Sequence, residues 1–149
     1  MTTEPEVFGV ATLPQGQHSD AKTVVVGIVG VGTDLVEVDR FRLAMQRRAK
    51  LGVRLFSDAE RAYAERHRDP APRLAARFAA KEAVMKALGV GLGAFKLRDV
   101  EVARRKSGAP HLVLRGKAAT LAEKRGVTNW HLSLTHTDSM AMAVAVALG

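Results

Sequence analysis

No cysteine occurs anywhere in the 149 residues. That absence removes disulfides, thiolate metal ligands and a cysteine nucleophile together, and it points to a cytoplasmic protein. Aromatic side chains are scarce, at five phenylalanines, one tryptophan and one tyrosine. With so few stacking platforms, and no RNA-recognition or helix-turn-helix signature, a basic nucleic-acid-binding module is the alternative reading and not the main one. No apolar run is long enough to span a bilayer, so no membrane association is expected. Acidic residues are also in deficit, 15 against 23 Lys plus Arg, which leaves a formal +8 and favours a polyanionic partner or substrate.

A hydrophobic content of 47% suits one compact domain with a real core. Residues 1–23 carry Pro5, Pro14, Gly16 and Gln17 and lack a basic start followed by an apolar stretch. They read as a flexible extension rather than a signal peptide, and the domain is expected over 24–149. Val24 to Val38 reads as a β-branched strand interrupted by glycines, followed by a helix capped at Asp39 and running toward Leu51. Ser57 and Glu60 have the spacing of a capping box. After Pro70 and Pro72 comes a long helix, then strands at Asp99–Arg105 and His111–Arg115 joined across Ser107-Gly108. A short helix at Lys117–Lys124 and strands at Trp130–Thr135 and Met140–Leu148 complete the chain. Helices and antiparallel strands alternate without βαβ periodicity, so the class is α+β: a single domain of antiparallel strands packed with one long buried helix and shorter helices.

The long helix is the most informative element. Leu74, Phe78, Met85 and Leu88 share one arc, and Ala76, Ala80, Ala83 and Ala87 form a small-residue arc opposite. A helix packed on both sides leaves Arg77, Lys81, Glu82 and Lys86 near an interior or a cleft, where each needs a counter-charge. Glu82 and Lys86, one turn apart, also suit an ordinary helix-supporting ion pair. Asp34 stands among valines after a glycine bend; it either caps a turn or joins Glu82 in offering oxygen to Mg²⁺. Gly30-Val31-Gly32 lacks both a third glycine and a following Gly-Lys-Ser/Thr, which rejects Rossmann and Walker loops. Strand alternation sets Ser133 and His136 on opposite faces and so argues against a hydrolase triad.

Gly30-Val31-Gly32-Thr33-Asp34-Leu35-Val36, Phe56-Ser57-Asp58-Ala59-Glu60, Arg77 to Ala87 and Trp130 to His136 occur in an order and spacing that resembles the holo-[acyl-carrier-protein] synthase family of 4′-phosphopantetheinyl transferases. Two positions depart from the family pattern, Thr33 where an aliphatic residue is usual and Thr137 where an acidic one is frequent. The resemblance implies transfer of 4′-phosphopantetheine from coenzyme A to a serine of an acyl carrier protein, or of a carrier domain, in fatty acid biosynthesis, with release of adenosine 3′,5′-bisphosphate. It implies Asp34 and Glu82 as Mg²⁺ ligands and Lys86 as the residue that stabilises or protonates the leaving phosphate. Either a metal-bound water or a carboxylate, Glu82 foremost, takes the serine proton. Arg77, Lys81, Ser133 and His136 are the expected coenzyme A contacts. Arg40, Arg42, Arg47 and Arg48 become candidates for docking the acidic carrier. The short members of the family also imply a homotrimer, with a site shared between neighbouring subunits.

Overall fold

The computed structural model describes residues 27–149. The expected extension, and residues 24–26 of the expected first strand, lie outside that range. The strands are β1 (Ile28–Glu37), β2 (Val100–Arg104), β3 (Pro110–Leu114), β4 (Asn129–His136) and β5 (Met140–Leu148). The helices are α1 (Val38–Arg47), α2 (Leu51–Leu55), α3 (Asp58–Glu65), α4 (Ala71–Ala87) and α5 (Gly116–Lys124), and a single 3₁₀ turn covers Leu97–Asp99. β1, β5 and β4 form an antiparallel sheet in that order, and β2 pairs with β3 as a hairpin. The expected α+β class is what the chain adopts, with α4 as its buried centre.

The sheet's inner face explains why α4 can lie so close. Ala141, Ala143, Ala145 and Ala147 of β5 are all buried, and α4 answers with its own Ala79, Ala80, Ala83 and Ala87. Alanine against alanine lets backbones approach, and β1 takes this to its limit. A Cβ on Gly32 would collide with the Ala83 carbonyl oxygen, and one on Gly30 with that of Ala87. The paired glycines therefore seat a helix, in keeping with the rejection of a phosphate loop. The larger arc of α4 serves two clusters. Met85 and Leu88 pack with Phe95, Val100 and Val102, whereas Leu74 and Phe78 pack at the other end against Val38, Phe41 and Phe56.

Two boundaries differ from expectation. Asp39 is not a cap, because β1 runs straight into α1 at Val38, whose N–H donates to the Ser139 carbonyl at 2.9 Å. Asp39 sits instead in the first turn, where the helix dipole favours its charge. The helix also stops at Arg47 rather than continuing to Leu51: Arg48 leaves helical geometry (φ −131°, ψ 86°), and a turn closed by Leu51 N–H on the Arg48 carbonyl starts α2. The Ser57–Glu60 capping box forms as its spacing indicates, with bonds of 2.9 and 3.2 Å.

Candidate active site

Asp34 lies midway along β1 with its side chain on the inner face beside α4. Five residues separate Arg77 from Glu82 on α4, a rotation of about 140°, so the two project from different flanks of the helix. Each flank opens into its own cavity.

On the β1 flank, a cavity of about 580 Å³ is lined by Asp34, Glu37, Arg40 and Glu82 among apolar side chains including Leu35, Phe41, Phe78 and Leu92. Lys86 donates to Asp34 Oδ1 at 2.9 Å and to the Thr33 carbonyl at 2.8 Å. The expected Glu82–Lys86 ion pair is not among the salt bridges of the described residues; the lysine bridges helix to strand instead. Glu82 Oε1 is buried with no hydrogen-bond partner. Burial pushes the Glu82 carboxyl above its ordinary range, the negative charge of Asp34 adds to the rise, and Lys86 only partly offsets it. Glu82 Oε1 and the Asp34 carboxylate thus offer oxygen donors to one cavity, with Lys86 as the cation that engages Asp34. Among the described residues no group of three or more His, Asp or Glu could hold a metal ion. Two carboxylates nevertheless match the needs of Mg²⁺, which commonly keeps several waters and takes its remaining oxygens from phosphate.

On the opposite flank, a cavity of about 310 Å³ is lined by Arg73 and Arg77 of α4, Tyr63 of α3, Arg104, Gly108 and Pro110 of the hairpin, and Leu134 and His136 of β4. Its lining contains three arginines and a histidine but no carboxylate. Arg77 is only 5% exposed, yet its Nε has no partner and Nη1 reaches only the Arg73 carbonyl at 3.3 Å. Burial presses its pKa down, partly offset by Glu60. A desolvated guanidinium with spare donors, among other cations, has the chemistry to receive an anion.

Two expected contacts do not join these cavities. Lys81 points into the core, where its ammonium donates to Glu60 Oε2 at 2.8 Å and to the carbonyls of Leu97 (3.2 Å) and Val100. Both partners of the Lys81–Glu60 pair have fully buried side chains, so Lys81 is a structural counter-ion with no route to a ligand within the chain. Ser133 lies on the sheet's outer face with His131 and Thr135, whereas Leu134 and His136 turn inward. Sequence reasoning missed Tyr63, Arg73 and Arg104. Arg104 shares the inward parity of Val100 and Val102 along β2, which was its legible signal.

A sequence model described as the 4′-phosphopantetheinyl transferase superfamily matches residues 30–145. The holo-[acyl-carrier-protein] synthase of Beutenbergia cavernae is 48% identical over 120 residues, covering 80% of this chain and 97% of that protein. The chain belongs to the holo-[acyl-carrier-protein] synthase family of 4′-phosphopantetheinyl transferases. It is an enzyme of that family, which sets aside the basic nucleic-acid module. Crystal structures of holo-[acyl-carrier-protein] synthases share the fold. That of Plasmodium yoelii has a TM-score of 0.74 at 29% identity, covering 83% of this chain and 97% of its own. That of Bacillus anthracis in complex with CoA (3′,5′-ADP) has a TM-score of 0.69 at 30% identity, covering 82% and 97%.

Proposed function

We propose that this chain transfers 4′-phosphopantetheine from coenzyme A to a serine hydroxyl of an acidic acyl carrier protein, or of a carrier domain of a fatty acid synthase, in the cytoplasm, releasing adenosine 3′,5′-bisphosphate. The observation that carries the reading is the buried, unpartnered Glu82 Oε1 beside Asp34 in one cavity. Asp34 and Glu82 would hold Mg²⁺, which when bound neutralises charge on the diphosphate and on the leaving group. The serine oxygen attacks the phosphorus that carries pantetheine, and the bond from that phosphorus to the bridging oxygen breaks. The serine proton would go to Glu82 or to water held in the same cavity, both within the space that Asp34 and Glu82 line. Lys86, half-exposed and aimed by Asp34, supplies positive charge or a proton to the departing phosphate. The apolar lining from Phe41 and Phe78 suits the pantetheine arm.

The anion cavity would receive the nucleotide end, with Arg77 and His136 on its 3′-phosphate. Because the two cavities lie on opposite flanks of α4, one bound coenzyme A would use the acidic cavity of one copy and the basic cavity of the next. The outer face of the sheet supports such an assembly: Val31 is 55% exposed, Leu35 61% and Met142 37%, an apolar surface that association would cover. A head-to-tail contact closing into a homotrimer provides the arrangement. Arg40, Arg47 and Arg48 form no ion pair among the described residues and suit an acidic carrier. Arg42 does not join them, since it is clamped to Asp69 at 3.0 Å.

Mass-spectrometric assay of apo-carrier modification tests the reading. Asp34→Ala and Glu82→Gln should each lower transfer by roughly three orders of magnitude or more with the protein still folded, and EDTA should abolish it. Full transfer by Glu82→Gln would refute the proposal.

A further inference from the structure

Tyr63 is the only tyrosine in the sequence, and it stands between two cations. The Arg77 guanidinium lies 4.2 Å from the centre of its ring, and that of Arg104 lies 5.3 Å away. Arg104 also donates through Nη1 to the Tyr63 hydroxyl and through Nε to the Gly108 carbonyl at 3.0 Å. Arg77 comes from α4, Arg104 from the hairpin and Tyr63 from α3, so one side chain ties three elements together at the rim of the basic cavity.

The arrangement answers a physical problem. Arg73, Arg77 and Arg104 share a small cavity whose lining has no carboxylate, and unoccupied cations repel one another. An acidic partner would hold them but would also occupy the donors that an incoming anion needs. A tyrosine holds them without that cost: its ring face attracts a guanidinium through the quadrupole, and its oxygen accepts one hydrogen bond, leaving the remaining donors free. Burial alone would raise the phenol's pKa, but the hydrogen bond and charge of Arg104, with the charges of Arg77 and Arg73, outweigh it and hold the value below the ordinary tyrosine range.

We propose that Tyr63 is a positioning residue that preorganises Arg77 and Arg104 for a terminal phosphate dianion, and so contributes to discrimination of coenzyme A from its 3′-dephospho form. The inference rests on the assignment of this cavity to the nucleotide end of coenzyme A. Tyr63 lines the basic cavity and not the one lined by Asp34 and Glu82, so its effect belongs in substrate affinity and not in turnover.

Steady-state kinetics with coenzyme A and with 3′-dephospho-coenzyme A, on the full chain and on Tyr63→Phe and Tyr63→Leu, tests the proposal. Tyr63→Phe keeps the ring and loses the acceptor; its KM for coenzyme A should rise about threefold. Tyr63→Leu loses both and should raise KM about tenfold. In both variants kcat should stay within about twofold, and KM for the dephospho substrate should not move. An equal rise for both substrates, or a fall in kcat at constant KM, would mark a structural role and overturn the proposal. If the unmutated enzyme discriminates and Tyr63→Leu discriminates equally well, the tyrosine's role falls while the cavity's assignment stands. If the unmutated enzyme does not discriminate, both fall. Should Tyr63→Leu fail to fold, the Tyr63→Phe shift on coenzyme A alone decides, and its absence refutes the role.

Discussion

Glu82, the residue proposed to serve the chemistry, is costly to the fold. Its carboxyl is held above the ordinary value of 4.5, first by burial and then by the charge of Asp34. A folded-state value above the unfolded one means that the ionised group opposes folding once the solution passes the ordinary carboxylate range, and protonation below that range removes the penalty. Glu82→Gln should therefore raise the melting temperature near neutral pH, and the gain should vanish as pH falls below 4.5. Thermal melts across that range check it, and a gain that persists in acid would refute the assigned cause. Four neighbours on α4 illustrate what a lone sequence can say about charges. That Arg77, Lys81, Glu82 and Lys86 needed partners was legible from the helix's lack of a polar face. Which partners they find was not: Glu60 for Lys81, Asp34 for Lys86 and the ring of Tyr63 for Arg77 come from other elements, 21, 52 and 14 residues away.

Among the elements, those marked by local chemistry were legible. The Ser57–Glu60 box, the turn at Ser107-Gly108 and the alternation along β4 each need only neighbours in sequence. The end of α1 and the junction of β1 with it were not, because the Val38 amide is satisfied by Ser139, a hundred residues on. The glycines of β1 lie between these cases. Their presence announced a close approach, but only the fold revealed a helix backbone as the neighbour. Gly32→Ala should force α4 off the sheet and cost about 3 kcal/mol or more, measured as a drop in the denaturant midpoint. A change below about 1 kcal/mol would mean that the helix yields freely there.

For the whole molecule, the two cavities on opposite flanks of α4 make a prediction that no single side chain makes. If one coenzyme A is shared between copies, Glu82→Gln damages one half-site and Arg77→Ala the other. Co-expressed, the two inactive variants should recover about a quarter of normal activity, because random mixing leaves that share of composite sites intact. No recovery would mean that each chain works alone. If association covers the outer face of the sheet, Val31→Glu should dissociate the assembly in sedimentation and take activity with it.

The sequence by itself determined the α+β class, the family, the small-residue arc of the central helix and the choice of Asp34 and Glu82 as the acids to watch, since each is written in residue type and spacing. Tertiary structure alone decided that Lys81 serves the core, that Ser133 faces outward, and that Tyr63, Arg73 and Arg104 line one basic cavity with Arg77 and His136. The reason is geometric. A period of 3.6 or 2 states which side chains share a face, but the partner of a buried charge is set by which other element packs there, and that is a property of the whole chain.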